Sequence, residues 1–275
     1  MRPTRSIVRA VSLIAVSGLA LASAASADTI GPINFEAPAY TTGDINGQDG
    51  WTKTGPYDVK VASVASFPAA AKYGFGKQAL RISDAFTSGS FGDQTYSPSL
   101  SKLGGEDAAE NVDVSFEIGS TSASEQPGLH VSVSPDSGEG SRMSYLRFED
   151  QPDGIHVFFD DVTDSGPLPT GADFSDTDIA TLSRNKSHSV RFQIHFKTGP
   201  GNDMVKIFID DKKLITGTTW EDYYRYDPEQ SSNGNAVPKV KNLLFRESGS
   251  PDAGNLGNGF LIDNVKLMSS GGMTH

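Results

Sequence analysis

Cysteine is absent from all 275 residues. No disulfide can staple the chain, no thiol can act as a nucleophile, and no Cys-type zinc site can form. Stability must therefore come from a sizeable apolar core, with or without the help of a bound ion. Long hydrophobic runs are equally scarce. The one predominantly apolar stretch, Val11 to Leu21, is short for a bilayer span. Arg2, Arg5 and Arg9 precede it and Ala25-Ser26-Ala27 follows it, which together describe a secretory signal peptide over residues 1–27, cleaved before Asp28. Processing there removes three arginines and no acid, taking the formal charge from −11 to −14. A field of that sign disfavours nucleic acid and anionic lipid surfaces as partners. The expected product is a secreted, extracellular monomer of bacterial type, without membrane insertion.

Helical signals are also few. "TWEDYYRYDPEQ" reads as a short helical or irregular loop and "GGEDAAENVD" as a single turn. No internal repeat or low-complexity linker divides the chain. What is present is alternation. "HSVRFQIHFKTG" sets Val190, Phe192, Ile194 and Phe196 against Arg191, Gln193, His195 and Lys197. "NVDVSFEIGS", "GLHVSVSP", "SYLRFED", "DMVKIFIDD" and "VKNLLFRES" follow the same period of two, with Gly and Pro punctuating the gaps. Half-buried antiparallel strands are expected. The fold class is all-β, a two-sheet antiparallel β-sandwich of jelly-roll type in one domain, 28–268, with a tail over 269–275. "GNGFLIDNVKL" poses one difficulty: a strand there puts Asp263 on the face of Leu261, Val265 and Leu267. An inward carboxylate needs a partner.

Residues 188 to 226 carry the most specific pattern. A His188-Ser189-Val190 strand runs to a Gly-Pro-Gly-Asn-Asp turn, and a second strand, Met204 to Ile209, ends at Asp210-Asp211. This resembles the late hairpin of concanavalin A-like lectin/glucanase domains, including the laminin-G-like group. The resemblance departs where Asp211 stands in place of the usual Gly, and Asp tolerates left-handed backbone better than most residues. "INFEAPAYTTGDINGQDGW" at the start and "FLIDNVKL" at the end agree with such domains. The resemblance implies a sandwich fold and a functionally mixed group of lectins, glycan hydrolases, lyases and adhesion modules, so it names no activity. It also implies that Glu36 of "NFE" and Asp263 of "IDNV" share a structural calcium, since Ca²⁺ suits hard oxygen ligands.

Candidate ligand-binding residues are Trp51 in "GQDGW" and Trp220, Tyr223 and Tyr224 in "TTWEDYYRYD". Trp and Tyr rings stack on the apolar faces of sugars, although any single ring can equally close the end of a sandwich. Paired-carboxylate hydrolysis has no support. Glu106, Asp107 and Glu110 lack the strand spacing, and Glu149, Asp150 and Asp153 run into a Pro turn. Gln193 and His195 in "FQIHF" resemble one alginate-lyase strand signature, with Arg147 a weak third member, but the other motifs of those lyases are missing. The leading expectation is a non-catalytic module recognising a polysaccharide or cell-surface glycan. The alternatives are a polysaccharide lyase or glycoside hydrolase using Gln193, His195 and Arg147, or a protein-adhesion module.

Overall fold

Branched and aromatic residues at every second position give each segment one face that must leave water, and pairing with neighbours satisfies its backbone. A computed structural model of the chain describes residues 27–87, 91–106, 108–162, 173–226, 239–247 and 249–271. The expected signal segment, up to residue 26, and the last residues of the expected tail lie outside these.

Two antiparallel sheets stack face to face. The larger holds β1 (Asp28–Ile33), β2 (Gly43–Asp44), β4 (Val59–Ser63), β5 (Gln78–Ile82), β7 (Asn111–Ser120), β12 (His188–His195), β13 (Met204–Ile209), β14 (Lys212–Gly217) and β16 (Phe260–Ser270). Its order is β14-β13-β12-β7-β16-β5-β4-β2, with β1 also paired to β16. The smaller holds β3 (Thr52–Lys53), β6 (Gln94–Tyr96), β8 (His130–Asp136), β9 (Tyr145–Gln151), β10 (Gly154–Val162), β11 (Phe174–Leu182) and β15 (Asn242–Glu247), in the order β11-β10-β9-β8-β15-β6-β3. The chain crosses from one sheet to the other after β2, β3, β5, β6, β7, β11, β14 and β15, which is jelly-roll connectivity. The two-sheet antiparallel sandwich is thus what the alternation foretells.

The core lies between the sheets. On β12, Val190, Phe192 and Ile194 are buried while Arg191, Gln193 and His195 face outward. Phe116, Phe148, Phe245 and Phe260 meet edge-on across the interior, with centroids 5.9 to 6.5 Å apart. Each such side chain contributes about 1.5–3 kcal/mol of burial. The β13–β14 turn behaves as its sequence suggests: Asp210 and Asp211 adopt φ of 49° and 62°. Asp210 also accepts from Lys186 Nζ at 2.7 Å and from the Ser189 amide at 3.2 Å.

Two expectations need correction. The last strand runs to Ser270, two residues beyond the expected end of the domain. More consequentially, β16 does not keep one phase. Its register against β7 shifts between Asp263 and Lys266, and Asn264 takes φ 52°. Such a bulge swaps the face that following residues present. Phe260, Ile262, Val265 and Leu267 belong to the main core, whereas Leu261 sits on the outside of the sheet under a small cluster of Val64, Ala70, Tyr73 and Ala79. Asp263 shares the outward phase of Leu261, opposite Glu117. The carboxylate is not aimed into the sandwich core, yet the loop covering that face buries it to 1% exposure.

Candidate functional site

β9 points Leu146 and Phe148 into the core, so Tyr145, Arg147 and Glu149 must point out. Register carries the same face onto the neighbours: Tyr145 lies opposite Asp160, and Arg147 opposite Phe158. Asp160 in turn faces Asp176, and Val162 faces Phe174. The segment after β14 folds over this face and ends in a short helix, α1 (Glu221–Tyr226). Trp220 is its clamp, with its amide donating to Met143 O at 3.1 Å and Nε1 donating to Asp160 O at 2.9 Å.

Four aromatic rings meet there. Trp220 stacks on Tyr145 at 5.4 Å and 20°, and leans on Phe174 at 4.7 Å and 59°. Tyr223 meets Phe174 at 5.1 Å and Trp220 at 6.2 Å, both edge-on. With Phe91 and Arg142 these rings bound an open hollow of about 570 Å³, a volume ordinary for a ligand site. Phe91 and Phe174 are 56% and 46% exposed, which makes them two of the four exposed large apolar side chains among the described residues.

The charges at the hollow differ in how they are spent. Arg147 donates to Glu149 at 2.5 Å, Asp160 at 2.8 Å and Asp176 at 2.9 Å, and lies 4.8 Å above the Phe158 ring. Burial pushes the Asp160 carboxyl up, while Arg147 pulls it back. Arg246 is bound to Asp93 at 2.8 Å and lies 4.1 Å over Phe91. Arg142 lies over the same Phe91 ring at 5.1 Å, and its Nε and Nη2 have no hydrogen-bond partner among the described residues.

Beneath α1 lie buried carboxyls. Asp203 accepts from Lys197 N at 2.7 Å and Thr219 Oγ1 at 2.8 Å. Glu221 accepts from Arg225 at 3.3 Å, and Arg225 also binds Glu106. Burial pushes Asp203 up to about 6 and Glu221 up to about 8, with the Asp203 charge adding to the rise of Glu221.

Of the aromatics singled out from sequence, Trp220 and Tyr223 come together in the hollow. Tyr224 also lines it but is 3% exposed, with its hydroxyl accepting from the Arg142 amide at 2.7 Å, so it supports the site and offers no stacking face. Trp51 is no part of it. That ring is fully buried against Phe35 and Phe245, and its Nε1 donates to Tyr40 Oη at 3.2 Å. The three residues of the lyase alternative do not converge. Gln193 and His195 face outward from the larger sheet, His195 bonding Asn111 at 3.0 Å, and Arg147 faces outward from the smaller one. Residues on opposite outer faces of a sandwich cannot act on one sugar.

Glu36 and Asp263 are gathered at one corner. Glu36 accepts from the amides of Lys77 and, at 3.0 Å, Gln78, and Asp263 accepts from those of Asn264 at 2.9 Å and Gly76. Burial pushes Asp263 up to about 7, and the Glu117 and Glu36 carboxylates add to the rise. Among the described residues, no group of three or more His, Asp or Glu is arranged to hold a metal ion. Sequence reasoning missed Arg142, Tyr145, Phe174 and Phe91. Tyr145 was open to discovery, since it alternates with the core residue Leu146.

No family model and no curated protein matches the chain. Among solved structures it is similar to an alginate lyase variant in complex with an alginate tetrasaccharide, at 14% identity over 92% of this chain and 100% of that one, with a TM-score of 0.49. It is similar to an endo-1,3-β-glucanase from Streptomyces sioyaensis at 12% identity over 92% and 99% of the two chains, with a TM-score of 0.46. An endo-β-1,4-glucuronan lyase from the fungus Trichoderma reesei aligns at 15% identity over 83% and 91%, with a TM-score of 0.41. None of these likenesses assigns a role to a residue of this chain. Among the described residues, no helix is long and apolar enough to cross a membrane.

Proposed function

We propose that this protein is a secreted module that binds a polysaccharide chain in the hollow between β9–β11 and α1, without cleaving it. The observation that carries this reading is the convergence of Trp220, Tyr145, Phe174 and Tyr223 on one open hollow, with exposed ring surface where a monomeric protein would ordinarily bury it. Sugar rings offer apolar faces to such rings and hydroxyls to the polar groups between them. The carboxylates nearest the rings support binding over chemistry, because Asp160 and Glu149 are both engaged by Arg147.

Purified residues 28–275 would be offered a panel of neutral and acidic polysaccharides. Retained protein, new reducing ends and unsaturated-uronate absorbance would be followed in each sample. Retention without product is expected, with Trp220→Ala weakening it about tenfold, as loss of a central aromatic contact does. Product from any polysaccharide overturns the non-catalytic reading, and undiminished retention by Trp220→Ala overturns the placement of the site.

A structural calcium at Glu36 and Asp263 belongs to the same proposal. Its support is that the two carboxylates hold the consecutive amides of residues 76–78 from β1's continuation and from β16. They would supply two of the six to eight oxygens that calcium takes, the rest coming from backbone and water. The ion would tie the ends of the domain together and take no part in recognition. Calcium at a hundredfold excess over its Kd is expected to raise stability by about 2.7 kcal/mol. Asp263→Asn should abolish that response, and a melting temperature indifferent to calcium and chelator would sink the idea.

A further inference from the structure

Arg142 brings to the hollow a guanidinium that has no ion pair among the described residues. The residue is only 9% exposed and lines the hollow. The other two arginines of this face are consumed by carboxylates, Arg147 by three and Arg246 by Asp93. Arg142 has aromatic neighbours instead, Phe91 at 5.1 Å and Tyr145 at 5.9 Å. Its Nε and Nη2 are buried and have no hydrogen-bond partner among the described residues. The buried Asp136 carboxylate offsets part of this charge through space but makes no ion pair with it, which leaves the guanidinium able to take a further anion from the hollow. Nε and Nη2 are themselves closed to solvent, so what Arg142 offers the hollow it lines is a guanidinium charge that no described carboxylate meets at ion-pair distance.

The surroundings narrow the class of anion. Glu139 is exposed at the rim, Asp160 lies on the floor and Asp136 is buried behind Arg142, with Oδ1 held by the amides of Gly138 and Gly140. These negative groups disfavour a densely charged polyanion and leave room for one charge at the Arg142 guanidinium. The aromatic walls stay available for the rest of the sugar ring.

We propose that Arg142 takes the carboxylate of an acidic sugar, so that the glycan recognised in this hollow contains a hexuronate. The inference rests on the reading of the hollow as a glycan site and adds the class of sugar. It is tested by calorimetry on residues 28–275 with otherwise neutral tetramers that carry a single galacturonate, glucuronate or mannuronate. Each is paired with its carboxyl-reduced, neutral counterpart, and a sulfated neutral tetramer is added. At least one uronate tetramer should bind about tenfold more tightly than its reduced form, the worth of one charge-assisted contact. Arg142→Gln should erase that preference, weakening the uronate form far more than the reduced form, and Arg142→Lys should restore part of it. Trp220→Ala should weaken both forms together. Equal binding of uronate and reduced tetramers, preference for the sulfated one, or a preference that survives Arg142→Gln overturns the role of Arg142 while leaving the hollow a glycan site. Binding of no tetramer, with Trp220→Ala indistinguishable from wild type, overturns both. Should Arg142→Gln fail to fold, the wild-type comparison decides by itself.

Discussion

Two tryptophans illustrate how little a side chain's local sequence says about its work. Trp51 and Trp220 each follow a run of small or polar residues, and both are equally plausible sugar platforms on that basis. Burial separates them. Trp51 fills the sandwich beside Phe35 and Phe245, and Trp51→Ala should cost about 3–5 kcal/mol of stability, as large core truncations do. Trp220 is half-buried at the mouth of the hollow, so Trp220→Ala should lose glycan affinity with a far smaller change in denaturant midpoint. Measuring both midpoints and both affinities checks the pair, and the reverse ranking would refute the assignment. The partners of Trp220 could not be read locally, because Tyr145 and Phe174 arrive through strand pairing, from positions far along the chain.

At the scale of elements, alternation succeeds where one strand keeps one phase and fails where a single residue breaks it. β12 was legible because its inner face is buried from Val190 to Ile194. β16 was misread because Asn264 inserts a left-handed step that reverses the faces after it. Asn264→Ala should therefore destabilise the fold by about 1 kcal/mol or more, and Asn264→Gly should not, a contrast that chemical denaturation resolves. α1 carries a pH dependence of its own. The Glu221 carboxyl gives up its proton near its ordinary value of 4.5 when unfolded but near 8 when folded, burial being the main cause. Between those values the folded state holds the extra proton, so its stability falls as pH rises through this window. Asp203, pushed up to about 6, acts in the same direction. Trp220 emission should report α1 loosening as pH is raised from 5 to 9, and Glu221→Gln should flatten most of that response. A pH-independent signal in the wild type would show that the carboxyls beneath α1 do not titrate as described.

For the whole molecule, the absence of cysteine and the steady alternation were enough to foretell a two-sheet sandwich with a large core, because both depend on totals and periods. The face that holds the hollow was not foretold. It is decided by which sheet receives the aromatic loop, and that is a property of connectivity.

The position of β16 has a consequence for how such a chain comes into being. Phe260–Ser270 is the final strand in sequence, yet it lies within the larger sheet, paired with β7 on one side and with β5 and β1 on the other. Until residue 270 has been synthesised, β1, β5 and β7 have no common partner and the sheet cannot close. Pairings between such distant segments also form slowly, over milliseconds to seconds. In a nascent chain of this design the larger sheet is completed only after the whole of the domain has been made, so its folding follows its synthesis.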